Sequence, residues 1–365
     1  MKERTKILFL TNIPSPYRVE FFEELGKLCE LTVLYEKKSA DDRQWKYVDK
    51  LNYTSVFLKG IKTGADNALC FEVINHLKKK YDVIVVGGYS TPTGMLAIEY
   101  LRFKKIPFYL NCDGGFIKQE KQINFIIKKH FIGSATYWLS SGKETNKYLK
   151  HYGAKEDKIF LYPFSSIREK DVIIKPLTDE DKVLLKKELG ILEEKVVVSV
   201  GQFIYRKGFD VLIKASEGLK ANVGVYIIGG KPTEEYINLA EQYKGADVHF
   251  VGFCEKETLK KYYQVSNCMA FPTREDIWGL VINEALANGL PIVSTDKCIA
   301  ALELVGEAGG IIPSEDEKIL CETISKIIEN EDVQKAMSRL AIEKAAEYTI
   351  EKMAYAHIKI FDENM

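Results

Sequence analysis

Two carboxylates frame a short apolar stretch in the last third of the chain. Asp276 and Glu284 lie eight residues apart in "REDIWGLVINEALANGLP", and Gly279 precedes the part with a helical pattern. A glycine at the start of a helix lets backbone amides approach an anion, which the helix dipole also favours. Glu284 lies one turn into this helix, on the face of Leu280. A carboxylate repels phosphate but accepts hydrogen bonds from a vicinal diol, so the spacing suits a sugar–diphosphate–ribose ligand.

The same spacing also fits a simpler interpretation. A solvent-facing acidic loop followed by an ordinary helix with one acid would produce the same pattern of residues. The spacing alone does not decide between the two, so the surrounding elements matter.

Length and composition are those of a soluble protein with two domains. A chain of 365 residues exceeds what one hydrophobic core comfortably supports. Hydrophobic residues at 46% and charged residues at 28% exclude wholesale disorder. The longest apolar runs are far below the roughly 18 residues of a membrane helix, and "MKERTKILFL" predicts a first strand rather than a signal peptide. Seven cysteines without a C-x-x-C pair predict a protein of a reducing compartment.

The charge is distributed unevenly. Residues 1–160 contain 27 Lys and Arg against 18 Asp and Glu, a balance of +9; since the whole chain has 52 of each, the remainder carries −9. Oppositely charged halves fit two domains with different partners. A chance imbalance on solvated surfaces is the alternative.

Short apolar runs alternate with helical patterns along most of the chain. Such runs indicate parallel strands joined by crossover helices. The pattern breaks at residues 162–182, which are polar with two prolines, and then restarts. The sequence therefore predicts an α/β fold of two Rossmann-like, doubly wound domains facing across a cleft that holds the ligand. The predicted boundaries are 1–163 for the first domain, 164–182 for a linker, 183–347 for the second domain and 348–365 for a closing helix.

The motifs in this order resemble those of one family. "EDIWGLVINEALANGLPIVST" looks like the E-x7-E signature of the retaining glycosyltransferases of family 4, which have the two-domain B-type fold. "GQFIYRKGFDVLIKA" resembles the loop of that family that holds the donor diphosphate, and "VYIIGGKP", "VHFVGF" and "YYQVSNCMAFPT" are similar to the elements that follow. "NIPSPYRVEFFEEL" looks like the opening loop and helix of one bacterial branch. "YTIEKMAYAHIKIF" resembles a terminal helix that crosses back to the first domain.

The resemblance assigns roles to particular positions. It implies that the first domain binds the acceptor and the second domain binds the donor. The implied catalytic residues are Lys207, Arg206, Asp276 and Glu284. The implied donor-binding residues are Gln202, Gly279, Leu280 and Phe253. On the acceptor side the resemblance points to Tyr17, Arg18 and Asp113.

The sequence departs from the family pattern at several of these positions. The first acid of the signature is Asp276 rather than glutamate, and Gln202 stands where the family often has arginine. "PSPYR" replaces the usual glycine pair of the first-domain loop. Many members have a histidine after the strand that ends before "CDGGF", where Asp113 stands here, and turn chemistry is the alternative role for Asp113.

The resemblance implies a retaining transfer of a hexose-type sugar without a protein nucleophile. The expected donor is a nucleotide diphosphate sugar, specifically a uridine diphosphate sugar, and no metal or other cofactor is expected. The acceptor would be a glycan or a lipid-linked glycan in bacterial surface polysaccharide synthesis. This interpretation places the chain in the cytoplasm, in peripheral contact with the inner face of the cell membrane and without a nucleic acid partner. A non-catalytic nucleotide-sugar-binding subunit, or an epimerase or phosphorylase of the same fold, remains an alternative.

One further stretch, "KQEKQINFIIKKHF" at residues 118–131, combines lysines with a wide apolar arc. A basic amphipathic helix of this kind can lie in the interface of an anionic bilayer. The alternative is a crossover helix that packs its apolar side on the core and turns lysines to solvent.

Overall fold

The computed structural model of the chain describes residues 4–39 and 52–364. It contains two compact units, one of Met1–Ser166 together with Thr349–Met365 and one of Ile167–Tyr348. Each unit has its own parallel sheet with helices packed on it, as the B-type fold requires. The alternating pattern of the sequence is therefore confirmed as an α/β fold with two parallel sheets.

The strands of the first unit are β1 (Lys6–Thr11), β2 (Glu30–Tyr35), β3 (Thr54–Phe57), β4 (Ile61–Lys62), β5 (Ala68–Leu69), β6 (Val83–Val86), β7 (Tyr109–Cys112), β8 (Tyr137–Ser140) and β9 (Ile159–Leu161). Those of the second unit are β10 (Lys195–Val200), β11 (Val223–Ile228), β12 (Asp247–Val251), β13 (Cys268–Phe271), β14 (Ile292–Thr295) and β15 (Gly309–Ile312).

The first unit contains the helices α1 (Pro16–Leu28), α2 (Val73–Leu77), α3 (Pro92–Lys104), α4 (Gln122–Gly133) and α5 (Lys143–His151). The second unit contains α6 (Asp179–Leu189), α7 (Phe209–Ala215), α8 (Glu234–Gln242), α9 (Lys256–Val265), α10 (Leu280–Ala287), α11 (Ile299–Leu304), α12 (Glu317–Ile328) and α13 (Glu331–Glu347). The last helix, α14 (Ile350–Asn364), belongs to the first unit.

In both sheets the first strand lies in the middle, and the order in which strands are added reverses next to it. Among the described residues the first sheet runs β3-β2-β1-β6-β7-β8-β9, and the second runs β12-β11-β10-β13-β14-β15. All of their ladders are parallel. The order reverses between β1 and β6 in one sheet and between β10 and β13 in the other. Ligands of such sheets bind beyond the carboxyl ends of the strands at this switch point.

Two short elements differ from what the sequence pattern predicts. The small hairpin of β4 and β5 has too few residues to show an alternating pattern. Helix α6 begins at Asp179, inside the predicted linker, because the Thr178 hydroxyl accepts a hydrogen bond from the amide of Asp181. Asp179, Glu180 and Asp181 in its first turn also interact favourably with the helix dipole. The polar stretch is therefore partly a capped surface helix.

Helix α14 packs along α1 within the first unit, with a buried histidine between them. His357 lies between the rings of Phe21, at 4.8 Å between centroids, and Tyr162, at 4.6 Å. Its Nδ1 lies 2.8 Å from the carbonyl oxygen of Met353, which can only accept, so Nδ1 carries the proton. The buried Nε2 has no hydrogen-bond partner among the described residues. The imidazole is therefore held neutral, and burial lowers the pKa of His357 to about 4.

We expect the contact between α1 and α14 to weaken in acid, because the neutral His357 lies in it. Because the folded pKa lies below the usual 6.5, the contact is fully stable above that pH and loses stability as the pH falls toward 4. Linkage gives a loss of about 2 kcal/mol in the free energy of unfolding between pH 7 and pH 5. Protection factors from amide hydrogen exchange of α14 should fall accordingly in the wild-type protein and much less in His357→Gln. An equal fall in both proteins would contradict this assignment.

Candidate functional site

The candidate site lies at the carboxyl edge of the second sheet, at its switch point. The loop after β10 contains Gln202, Arg206 and Lys207, and the loop after β13 contains Asp276. Because β10 and β13 are neighbours, these loops meet although they are some 70 residues apart in sequence. The edge is where a doubly wound sheet binds its ligand.

Lys207 and Asp276 form an ion pair across the two loops. The Nζ of Lys207 donates to Oδ2 of Asp276 at 2.6 Å, and both side chains are nearly buried, with 11% and 12% of their surface exposed. The ammonium also lies 4.7 Å from the centroid of the Phe271 ring. A lysine held in this way presents a fixed positive charge at the sheet edge, beside a carboxylate that can accept hydrogen bonds from hydroxyl groups.

Glycines allow the two loops to approach each other. Gly208 has a φ of +67°, and a Cβ atom there would lie 2.0 Å from the carbonyl oxygen of Pro272. Gly279 has a φ of +96°, and a Cβ atom would lie 2.8 Å from the sulfur of Cys298. Both positions therefore require glycine, and Gly279 opens the helix α10 as predicted. The first amides of an α-helix have no partner four residues earlier in the helix, so the start of α10 can attract an anion.

Arg206 lies beside this pair at the surface. Its Nη1 donates to the carbonyl oxygen of Glu275 at 2.7 Å and lies 3.5 Å from Oδ2 of Asp276. The side chain is 43% exposed, so the guanidinium retains access to solvent. The structure thus brings Arg206, Lys207 and Asp276 into one cluster.

A second ion-pair network, which the sequence analysis misses, holds the same loops. Arg274 forms two parallel hydrogen bonds with the carboxylate of Asp210, at 2.8 and 2.7 Å, and also pairs with Glu315. Its guanidinium stacks 3.9 Å from the centroid of the Tyr205 ring. The hydrogen bond to Asp210 is the main cause that raises the pKa of Arg274. Arg274 therefore ties the turn that contains Arg206 and Lys207 to the start of α7.

Glu284 lies on α10 against a tyrosine of α9. The hydroxyl of Tyr263 donates to Oε2 of Glu284 at 3.0 Å, which leaves Oε1 for another donor. Burial raises the pKa of Glu284, while the hydrogen bond from Tyr263 lowers it. The backbone carbonyl of Glu284 accepts from the Asn288 side chain at 2.9 Å. The carboxylate is therefore a desolvated acceptor that a tyrosine orients.

The other donor-side residues of the prediction lie in different environments. Gln202 is exposed in the loop directly after β10, and Leu280 is half-buried at the start of α10. Phe253 is 70% exposed in the loop after β12. Gln202 and Leu280 thus follow the same two strands as the central cluster, whereas Phe253 follows the strand at the edge of the sheet.

The acceptor-side residues of the prediction form one buried network in the first unit. The Nη2 of Arg18 donates to Oδ1 of Asp113 at 2.7 Å, and the hydroxyl of Tyr162 and the amide of Asn111 donate to the same oxygen, each at 2.7 Å. Arg18 is nearly buried, and the pKa of its guanidinium is raised although burial alone would lower it, because Asp113 lies beside it. The Arg18 guanidinium also lies 5.6 Å from the Tyr17 ring centroid.

Another buried carboxylate lies at the carboxyl edge of the first sheet. Glu36 follows β2 and accepts hydrogen bonds from the Thr91 hydroxyl at 2.6 Å and from the Ala68 amide at 3.1 Å. Burial raises the pKa of Glu36 to about 7. This side chain joins the β4–β5 hairpin to the start of α3.

The opposite edge of the second sheet has a cavity of about 390 Å³. Lys195, Asn267 and Pro291, at the amino ends of three strands, line it together with residues of α6 and α13. Burial lowers the pKa of Lys182, which also lines it. The cavity contains neither Lys207 nor Asp276, so it is separate from the ion-pair cluster.

The sequence of the second unit matches a known family of enzymes. Residues 181–344 match the family described as glycosyl transferases group 1. The chain is 26% identical over 246 residues to a D-inositol 3-phosphate glycosyltransferase of Corynebacterium diphtheriae, an alignment that covers 63% of this chain. That alignment spans only 57% of the length of the curated relative.

Two further similarities extend over nearly the whole chain. An N,N'-diacetylbacillosaminyl-diphospho-undecaprenol alpha-1,3-N-acetylgalactosaminyltransferase of Campylobacter jejuni is 21% identical over 348 residues, which cover 94% of this chain and 88% of that protein. The structure of HepE from Anabaena in complex with UDP superimposes with a TM-score of 0.76 at 14% identity, covering 98% of this chain and all of that one. At this identity the structural similarity shows a shared fold.

We expect the Arg274 network to position the turn that holds Lys207. Arg274→Lys keeps the charge but loses the paired hydrogen bonds to Asp210. The lost interaction free energy is about 1.5 kcal/mol or more. We expect about tenfold weaker binding of a nucleoside diphosphate by calorimetry, because the turn that holds Lys207 loosens. Arg339→Lys, at an exposed position of α13, serves as the matched control and should bind like the wild type. Unchanged affinity in Arg274→Lys would show that the network does not position the site.

Proposed function

We propose that this chain, whose residues 181–344 match the group 1 glycosyltransferases, transfers a hexose-type sugar from a nucleotide diphosphate sugar to a hydroxyl group. The observation that carries the proposal is the position of the Lys207–Asp276 pair beside the start of α10, at the switch point of the second sheet. Lysine and helix amides suit a diphosphate, and the flanking carboxylates suit hydroxyl groups on both sides of it.

We assign the residues of this site as follows. Lys207, with Arg206 beside it, stabilises the charge that develops on the leaving diphosphate, together with the amides of Gly279 and Leu280. Glu284 accepts hydrogen bonds from the ribose diol through its open oxygen. Asp276 accepts them from hydroxyls of the transferred sugar.

The transfer would proceed with retention of configuration and without a protein nucleophile. An acceptor hydroxyl attacks the anomeric carbon from the side of the leaving group, the bond to the phosphate oxygen breaks, and that oxygen takes the proton. The protein then acts by holding the two reactants in position and by stabilising negative charge. Because Lys207, Arg206 and helix amides supply that stabilisation, we propose that the reaction needs no metal ion.

The acceptor that we propose is a glycan on a lipid carrier in bacterial surface polysaccharide synthesis. The Campylobacter relative, whose name specifies an undecaprenol-linked acceptor, aligns with 94% of this chain. We place the enzyme in the cytoplasm at the inner face of the cell membrane. A uridine diphosphate sugar is the proposed donor, because the fold is shared with a protein whose structure contains UDP.

A donor panel tests this function directly. The protein is incubated with uridine, guanosine, adenosine and thymidine diphosphate sugars, with and without lipid-linked glycans, and release of the free nucleoside diphosphate is measured. The proposal expects release with one class of donor and its stimulation by an acceptor. Binding without any release would identify a non-catalytic nucleotide-sugar-binding subunit. Interconversion of the free sugar nucleotide would identify an epimerase, and phosphate-dependent release of a sugar phosphate would identify a phosphorylase.

Lys207 should contact the diphosphate and not the nucleoside. Lys207→Ala is therefore expected to weaken binding of the nucleoside diphosphate by about tenfold or more while leaving the affinity for the nucleoside unchanged. Calorimetry with both ligands separates these effects. Lys214→Ala, on the neighbouring helix α7, is the control. Equal weakening of both ligands in Lys207→Ala would contradict a phosphate contact.

Glu284 should act as a carboxylate, so its protonation should inactivate the enzyme. Glu284→Gln is expected to fold normally and to lose about 1.5–3 kcal/mol of transition-state stabilisation, the scale of a hydrogen bond to a charged group. Tyr263→Phe removes the hydrogen bond that lowers the pKa of Glu284, so its pKa rises. The acidic limb of the pH profile of kcat/KM should then move to higher pH. An unmoved limb would show that Glu284 does not set it.

A further inference from the structure

The cavity at the amino edge of the second sheet has an excess of positive charge. Its volume of about 390 Å³ lies within the range of small-molecule sites in proteins. Three acidic and five basic side chains line it, and the basic ones are Lys182, Lys186, Lys195, Lys335 and Arg339. A small ligand with two negative charges would balance this lining.

The three acids of the cavity already have other favourable interactions. Glu194 accepts a hydrogen bond from the Asn222 amide at 2.9 Å, and Glu331 pairs with Lys335 at 3.4 Å. Asp179 is the first residue of α6, where its charge interacts favourably with the helix dipole. The negative charge of the lining is therefore partly offset before any ligand binds.

Lys182 and Lys195 are half-buried in the lining and repel each other. In the part of the chain that the structure describes, neither ammonium group has a hydrogen bond or an ion pair. Burial lowers the pKa of Lys182, and although Asp179 raises it, Lys195 and Lys335 lower it further. Burial also lowers the pKa of Lys186, with Lys182 and Lys195 acting in the same direction. These lysines lack a counter-ion, which a bound anion would supply.

A structural role explains one of these lysines but not the pair. The ammonium of Lys186 donates to the carbonyl oxygens of Glu193 and Glu194 at 3.2 and 2.7 Å, so it holds the loop after α6. Lys182 and Lys195 make no such bond within residues 4–39 and 52–364. Two cations without a protein partner in a concave lining have the arrangement of an anion site.

The rest of the lining suits a ligand larger than inorganic phosphate. Leu177, Val183 and Leu290 contribute apolar surface for a carbon skeleton. Gln264 contributes a side-chain amide that has no hydrogen bond among the described residues, so it can bind a hydroxyl group. A phosphate monoester carries about two negative charges at neutral pH. A phosphorylated sugar or polyol therefore matches the charge, the size and the mixed polarity of the cavity.

The cavity also adjoins two groups that hold Glu284. Tyr263, whose hydroxyl donates to Oε2 of Glu284 at 3.0 Å, is part of the lining. Asn288 is part of it too, and its amide donates to the backbone carbonyl of Glu284 at 2.9 Å. Helix α10 thus has Gly279 at one end and the cavity at the other, about 12 Å apart for its eight residues. A ligand that packs on Tyr263 and Asn288 would restrict both hydrogen-bond donors.

We propose that this cavity is an effector site for a small phosphate monoester of a sugar or polyol, separate from the candidate donor site. Lys182 and Lys195 bind the phosphate group, and contact with Tyr263 and Asn288 fixes the position of Glu284. Occupancy of the cavity then raises the affinity of the donor site for a nucleoside diphosphate. Binding in the cavity does not depend on the proposed function, whereas the effect on donor binding rests on it.

Calorimetry with ribose 5-phosphate tests the binding. The full chain is titrated at fixed ionic strength with ribose 5-phosphate and with ribose. We expect ribose 5-phosphate to bind about tenfold or more tightly than ribose, and Lys182→Gln with Lys195→Gln to remove this difference. Lys187→Gln with Lys318→Gln, at exposed positions outside the cavity, is the matched control. Absence of binding, or an equal loss in the control pair, would overturn the site.

Lys207→Ala distinguishes the cavity from the donor site. This variant should bind ribose 5-phosphate like the wild type while it loses affinity for the nucleoside diphosphate. Loss of ribose 5-phosphate binding in Lys207→Ala would place the phosphate at the donor site and overturn the proposal. A wild-type chain that binds ribose 5-phosphate but none of UDP, GDP and ADP would contradict the proposed function and leave the cavity as a binding site.

Thermal unfolding of Lys182→Met separates a ligand site from a structural lysine. Because the folded pKa of Lys182 is lowered, its charged form costs stability at pH 7, which lies below both the folded and the unfolded pKa. We expect Lys182→Met to raise the Tm in the absence of phosphates. Ribose 5-phosphate should then raise the Tm of the wild type but not that of the variant. A lower Tm of the variant without ligand would show that the lysine is structural and would count against the site.

The effector role is tested by UDP titrations with and without saturating ribose 5-phosphate. We expect about fivefold tighter binding of UDP in its presence, and the same factor for ribose 5-phosphate in the presence of UDP. Tyr263→Phe should bring this factor close to one while it binds ribose 5-phosphate normally, because the hydroxyl that links the cavity to Glu284 is lost. An unchanged or weakened affinity for UDP in the wild-type chain would overturn the effector role.

Discussion

The ion pair between Lys207 and Asp276 joins the two loops on which the candidate site depends. Neither loop belongs to a regular element over its whole length, so their positions depend on contacts with each other. Gly208 permits the close approach to Pro272, and Arg274 fastens the turn to α7 through Asp210. Two nearly buried charges that neutralise each other are expensive to separate. The pair thus keeps a lysine at the switch point of the sheet before any ligand arrives.

The positions of the charged groups determine what the site can bind. A positive ammonium and the first-turn amides of α10 favour a diphosphate between two carboxylates, which in turn favour hydroxyl groups. Glu284 is desolvated and Asp276 is paired with a cation, so the two acids differ in environment although they belong to one motif. That difference is the reason to assign them to different sugars. In the first unit, by contrast, the Asp113 carboxylate already accepts hydrogen bonds from Arg18, Tyr162 and Asn111.

The sequence predicts the strands well because strands buried on both faces read as short apolar runs, as in "KVVVSV" and "DVIVV". The family resemblance assigns Lys207 and Asp276 to one site, and the structure shows that they meet because the loops after β10 and β13 share one edge. Arg274 with Asp210, and Tyr263 with Glu284, could not be predicted, because their side chains meet only through packing between elements distant in sequence. The same holds for α4. Its helical pattern is visible in the sequence, but its register against the core, which leaves Ile123 and Ile126 in water, depends on Phe125, Lys128 and Ile132.

We propose that the carboxyl edge of the second sheet is a nucleoside diphosphate site built around Lys207. The most direct test is hydrogen exchange of the wild-type chain with and without saturating UDP, GDP or ADP, mapped by mass spectrometry. One of these ligands should protect the amides of residues 201–209 and of 276–284, and Lys207→Ala should lose this protection. Protection confined to the cavity at the other edge, in residues 182–195 and 331–339, would show that the nucleotide site lies elsewhere. The absence of protection at 201–209 and 276–284 with all three nucleotides would contradict this proposal.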